Sequence, residues 1–284
     1  MRLVTYELDG AVACGVLTGD GIVPAPDASV RAVLERGRDY WTELAASART
    51  GLDYAVALDD VRLLPPVPDP DKILCIGLNY REHAEETGMP APPVPIVFAK
   101  FRNSLVGAND AIVLPQASKA VDYEAELAVV IGRRCRGVEA ADALEYVAGA
   151  MAFNDVSARD LQMQTGQWTM GKAIDTFAPC GPALVLMDEI DDLQDLRVEA
   201  RVNGETVQSG TTASMIFTVA EIVAFISSVM TLEPGDIIAT GTPAGVGFTR
   251  TPPLLITPDD LVEVEIEGVG LLANPVVEHG AVRS

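Results

Sequence analysis

Two glutamates stand two positions apart in the most strand-like stretch of the chain, VDYEAELAVVIG, and their type and spacing define the chemistry to look for. A β-strand turns alternate side chains to one face, so Glu124 and Glu126 share a face, roughly 6 to 7 Å apart along the strand. The neighbouring Leu127, Val129, Val130 and Ile131 read as a strand buried on both sides. Two like charges in such a place are expelled, protonated or bridged by a cation. An isolated E-x-E is commonly the polar face of a sheet edge, but here a second apolar run, Val147 to Phe153, ends at Asn154 and Asp155 and brings a third carboxylate to the end of a buried element. Oxygen ligands without paired histidines or cysteines nearby select Mg²⁺, Mn²⁺ or Ca²⁺ over Zn²⁺.

Proton chemistry falls to one residue. The chain has two histidines, and His279 lies in a tail expected to be mobile, which leaves His83. In LNYREHAEETG, Asn79 is expected to cap a short helix, with Glu82 as the capping-box acid and Gly88 as its end. His83 and Glu86 are then i and i+3 on one face, where the carboxylate orients the imidazole and raises its basicity; an exposed helical ion pair is the alternative reading. Lys172, among the small and apolar residues of MGKAIDTFAP, is either a surface side chain lying along apolar neighbours or a countercharge for an anion. The stretch TGTPAGVG at 240–247 follows an apolar strand but lacks G-x-G-x-x-G spacing and a following helix, so it does not read as a dinucleotide site. It reads as a pocket loop whose backbone N–H groups and Thr242 hydroxyl can take a carboxylate, or as a structural turn. No nucleophile elbow, Walker A sequence or paired-histidine zinc motif occurs.

The elements that must hold these residues are mostly strands. Segments 2–8 and 11–17 flank Asp9-Gly10, a strong hairpin signal, and helical patterns occupy about 29–49. Strand-like runs recur at 73–77, 95–99, 126–131, 183–187, 197–202, 236–240 and 262–266, with Asn203-Gly204 as a turn. One helix is well marked at about 219–230, where Thr218 and Glu221 form a capping box. The proline-rich stretch near residue 66 supports neither a helix nor a central strand. The expected organisation is a small N-terminal domain at 1–65, a linker at 66–72 and a main domain at 73–284.

With 284 residues there is ample material for a core. No apolar run reaches the ~18 residues of a membrane span and the N-terminus carries no leader pattern, so a cytoplasmic protein is expected. A formal net charge of −21 argues against nucleic-acid and membrane partners. Cys14, Cys75, Cys135 and Cys180 are widely separated and read as small buried hydrophobes in a reducing compartment.

In order and spacing, NYREHAEE, the E-A-E pair, FNDVSARDLQ, GKAIDTFAPCGP, VNGETVQ and GDIIATGTPAGVG resemble the fumarylacetoacetate hydrolase family over roughly residues 72–277. The resemblance implies a mainly β (α+β) fold, a mixed β-sandwich roll preceded by a small N-terminal α+β domain, usually assembled as a homodimer. It implies that Glu124, Glu126 and Asp155 ligate Mg²⁺ or Mn²⁺, that His83 and Glu86 are an acid/base dyad on a lid segment, and that Lys172 helps hold substrate oxygens. Arg159, Gln162, Gly241 and Thr242 would contact a small 2-oxo acid. Two stretches depart from the family pattern: Lys100-Phe101-Arg102-Asn103 stands where relatives often have K-P-x-S, and Gly171-Lys172-Ala173 where they have G-K-S. The expected activity is metal-dependent hydrolysis of acylpyruvate-type 2,4-dioxo acids, as met in the breakdown of aromatic compounds. Decarboxylation of an oxaloacetate-type acid, isomerisation of a 2-hydroxydienoate, and a metal-binding homologue without turnover are the alternatives.

Overall fold

The central strands are apolar at every position, so the sheet they form must be covered on both faces. A computed structural model describes residues 1–280 and shows this arrangement. Strand Ala125–Ile131 is buried at all seven positions, between antiparallel Val147–Asn154 on one side and Ile237–Ala239 on the other. The sheet continues through Ile73–Gly77, parallel to Ile237–Ala239, to Ile96–Lys100. In the other direction it continues through Ala178–Leu186 to Arg2–Leu8, Ala11–Thr18 and Gly21–Pro24, making eleven strands in all. The N-terminal hairpin therefore extends the central sheet, joined to it by the Arg2↔Val185 and Leu3↔Leu184 pairs. Residues 65–72 form neither helix nor strand.

One face packs on a second, five-stranded sheet that includes Arg197–Val202, Leu261–Ile266 and Gly270–Glu278. Leu127, Val129 and Ile131 meet Val198, Ala200, Val262, Val264 and Leu272 there, with helix Val219–Val229 closing the layer through Ile222, Val223 and Ile226. The opposite face, with Ala128, Val130, Met151 and Phe153, packs on Val33, Leu34, Trp41 and Leu44 of helices Val30–Glu35 and Arg38–Thr50. The chain is thus mainly β, with mixed sheets and few helices.

Local signals match the elements they mark. Asp9 and Gly10 have φ of 52° and 79°, and Asn203 and Gly204 52° and 81°, the backbone that two-residue hairpins need. Thr218 and Glu221 make both bonds of the capping box. Gly88 ends helix Arg81–Thr87 in the left-handed region. Asn79 departs from expectation, since Tyr80 is the N-cap and has no side-chain cap bond. The Asn79 amide instead donates to Phe217 O and Thr240 O, at 3.0 and 2.7 Å, and accepts from Phe217 N–H at 2.8 Å. Three buried or partly buried backbone groups from two distant segments outweigh one helix N–H that water can serve. Glu82 is likewise exposed, facing Ser214. All four cysteines are buried and free. No helix among the described residues is long and apolar enough to cross a membrane.

Candidate metal centre and proton-transfer site

Three of the acids lie along the segment that runs from the short strand Val121–Asp122 into the central strand, with only Glu126 inside the latter. Asp122, Glu124 and Glu126 share parity, and all three are buried near the start of Ala125–Ile131. Asp155 follows the end of the paired strand Val147–Asn154, where its N–H donates to Glu124 O at 2.9 Å. Glu124, Glu126 and Asp155 each offer a carboxylate oxygen, and these atoms lie within 4.8 Å of one another.

Two lysines lie against this triad. Lys172 Nζ is 2.5 Å from Glu124 Oε2 and 2.7 Å from Asp155 Oδ2; Lys100 Nζ is 2.5 Å from Asp155 Oδ1 and donates to Val156 O at 3.0 Å. Lys172 is therefore a buried countercharge for the chain's own carboxylates. Arg159, from the turn after Ser157–Ala158, reaches Asp122 at 2.9 Å and Glu124 at 2.8 Å, donates to Gln162 Oε1 at 3.1 Å, and lies over the Phe248 ring. Burial opposes charge on Glu124, but Arg159 and Lys172 outweigh it and hold its carboxyl well below the usual range. Glu126 has no such partner. Burial, then Asp155 and Glu124, push its carboxyl well above the usual range, with Lys172 and then the Gly241 N–H at 2.9 Å as partial offsets.

That asymmetry tests the site against a metal. In this cluster four buried carboxylates, Asp122, Glu124, Glu126 and Asp155, meet three buried cations, Lys100, Arg159 and Lys172, and the excess rests on the residue facing the other two acids of the triad. A divalent cation on Glu124, Glu126 and Asp155 removes the repulsion and makes the cluster net positive, and an all-oxygen donor set suits Mg²⁺ or Mn²⁺. The residues fit the ion. Glu126→Gln is accordingly expected to weaken Mg²⁺ binding on the order of 100-fold by calorimetric titration; unchanged affinity would place the ion elsewhere.

His83 and Glu86 come together on helix Arg81–Thr87, with Nδ1 3.2 Å from Oε2. His83 is buried, so the exposed-pair alternative does not describe it. Glu86 also accepts from Gly245 N–H, at 3.0 and 3.2 Å, and from the Thr249 hydroxyl at 2.9 Å. Burial alone would raise its carboxyl, but the bonds from His83, Thr249 and Gly245 keep it below the usual range and ionised.

His83, the three acids, Arg159, Gln162, Lys172 and Thr242 all line one cavity of about 70 Å³. Apart from Thr87, its remaining wall is apolar, including Ile76, Leu78, Phe98, Met163, Trp168 and Phe248. Trp168 fits because Gly77 has no side chain: a Cβ there would sit 2.6 Å from the indole. Gly241 lies behind this surface with its N–H given to Glu126, and the Thr242 hydroxyl donates to Ala125 O while accepting from Gln208. Sequence reasoning passed over Asp122 and the role of Lys100. The first had a readable signal, since D-x-E-x-E extends the same alternation by one step; the second had none beyond its place at the end of an apolar strand.

The Fumarylacetoacetate (FAA) hydrolase C-terminal family matches residues 72–277. Oxaloacetate tautomerase Fahd2a, mitochondrial, of Rattus norvegicus is 44% identical over 291 residues, covering 98% of this chain and 92% of that protein. Among solved structures, 5-carboxymethyl-2-hydroxymuconate delta-isomerase from Mycobacterium smegmatis is similar at 38% identity and TM-score 0.79, with 99% of this chain and 100% of that chain covered. Maleylpyruvate hydrolase from Sphingobium sp. SYK-6 is similar at 30% identity and TM-score 0.81, with 98% of this chain and 100% of that one covered.

Proposed function

The chain belongs to the fumarylacetoacetate hydrolase family, and from that premise we propose that it is a divalent-metal enzyme that moves a proton between carbon 3 and the 2-oxo oxygen of a small 2-oxo dicarboxylate, with keto–enol interconversion of oxaloacetate as the reaction. The observation that carries this reading is the opening of the acidic triad and of His83, itself paired with Glu86, onto one small, mostly apolar cavity. Near-full-length similarity to the rat oxaloacetate tautomerase supports the same choice.

Mg²⁺ or Mn²⁺ on Glu124, Glu126 and Asp155 would supply Lewis acidity toward the oxygens of a 2-oxo acid. The chain's own residues do the rest. His83 takes the proton from carbon 3 and returns it to oxygen, or carries it in the reverse direction. Glu86, ionised, holds the Nδ1 proton and stabilises the imidazolium between those steps. Lys100 and Lys172 pair with Asp155 and Glu124 in a buried place. With its Oε1 bonded to Arg159, Gln162 retains its Nε2 amide to donate to a carboxylate of the acid. The apolar wall limits water, which strengthens each of these interactions.

The acylpyruvate hydrolysis expected from the motifs is the second reading, supported by similarity to the maleylpyruvate hydrolase. It keeps the same residues and has His83 deprotonate a water. One experiment separates the readings: freshly dissolved enol oxaloacetate and a simple acylpyruvate are followed by ultraviolet absorbance with chelator, with Mg²⁺ and with Mn²⁺. Metal-restored loss of the oxaloacetate enol supports tautomerisation. Metal-restored cleavage of the acylpyruvate alone favours hydrolysis, and silence on both would sink the two readings together.

A further inference from the structure

The glycine-rich loop that follows strand Ile237–Ala239 gives its N–H groups to carboxylates of the chain. At one end, Gly245 N–H and the Thr249 hydroxyl hold Glu86. Further along, Gly247 N–H and Phe248 N–H hold Asp122, at 2.8 and 3.1 Å. Asp122 also takes the Arg159 guanidinium, which pairs with Glu124. The Gly245 peptide is pinned on its other side, where its carbonyl accepts from the Tyr123 hydroxyl and from Arg250 Nη2, both at 3.1 Å. The loop must be glycine to lie this close. Gly245 has φ of +106° and a Cβ there would sit 2.3 Å from Val207 O; at Gly247 it would sit 1.8 Å from Leu254 O.

We infer that segment 245–249 is a clamp that positions the proton-transfer pair, and that Thr249 is a positioning residue acting through Glu86. By fixing Oε1, the Thr249 hydroxyl leaves Oε2 aimed at His83 Nδ1, so that the ring keeps its proton on Nδ1 and exchanges protons through Nε2. Through Asp122 and Arg159 the same clamp ties the short His83 helix to the ligand Glu124, so dyad and triad are held in register by one segment. The inference rests on the acid/base role of His83 proposed above.

Thr249→Val removes the hydroxyl at nearly constant volume, Thr249→Ala removes it without adding apolar bulk, and Thr249→Ser restores it. Both hydroxyl-free variants are expected to lower kcat about tenfold with KM within about twofold, with Thr249→Ser close to wild type. A Thr249 that supports only the loop backbone, where its hydroxyl also reaches Val246 O, would still cost activity after Glu86→Gln; the clamp predicts no added loss in that background. A second readout needs no turnover. The protein has two histidines, so imidazole ¹⁵N spectra, assigned with His279→Ala, report His83 alone. Its neutral ring should be the Nδ1–H tautomer in wild type and a mixture in Thr249→Val and Thr249→Ala. Wild-type tautomer and kcat in both variants, or a full additional loss after Glu86→Gln, would overturn the inference. A tautomer change in a protein that turns over neither acid would overturn the functional reading and leave the clamp standing.

Discussion

Turnover is expected to fall by about 10²- to 10⁴-fold when His83 is replaced by asparagine, with divalent-cation affinity unchanged. Asparagine can still donate to Glu86 from a buried site, but it cannot carry a proton at neutral pH. The size of the effect follows from the lack of a substitute. Among the described residues lining the cavity, the remaining titratable groups are committed: Glu124 and Asp155 to Lys172, Arg159 to Asp122 and Glu124, and Glu126 to the triad. The checks are kcat on the oxaloacetate enol and calorimetric Mg²⁺ titration of the same preparation. A variant that binds Mg²⁺ as wild type does and keeps its rate would move proton transfer to another group, Lys172 first.

Removing the Lys172 charge should act on the fold before it acts on catalysis. Lys172→Met keeps the stem and leaves Glu124 and Asp155 without the ammonium that lies 2.5 and 2.7 Å away. Breaking a buried pair from one side typically costs about 3 to 5 kcal/mol, and Arg159 on Glu124 with Lys100 on Asp155 keeps the loss toward the lower end of that range. In chelator, denaturant unfolding should show a loss of that order. Saturating Mg²⁺ should return more stability to Lys172→Met than it adds to wild type, since a cation on the triad discharges the same two carboxylates. Equal Mg²⁺ effects on both proteins would mean that lysine and metal do not share these ligands.

What the sequence made legible was periodic or local. Alternation in VDYEAELAVVIG placed the central strand and Glu126 within it, with Glu124 just before its start, and the Asp9-Gly10, Asn203-Gly204 and Thr218/Glu221 signals each marked a turn or cap that the structure contains. His83 and Glu86 were readable because three residues of helix bring them together. The countercharges were not. Lys100 and Lys172 meet Asp155 and Glu124 across separations of 55 and 48 residues, which no local pattern encodes. Asn79 misled for the same reason: a helix cap is a neighbour's role, whereas its amide serves backbone groups 138 and 161 residues away. The glycine loop looked like a cradle for a ligand because glycine patterns announce close approach without naming what approaches.

The sequence separations within the site also bear on how the chain acquires it. Glu126 is bonded to a backbone group 115 residues downstream and Glu86 to one 159 downstream, while the strand between, Ile237–Ala239, pairs in parallel with Ile73–Gly77. Parallel pairings across such spans are slow to form because loop closure precedes any compensating contact. On the ribosome, the acids and the histidine emerge well before the segment that restrains them. The bonds that restrain Glu126 and Glu86 therefore form only after residues 241–249 have emerged.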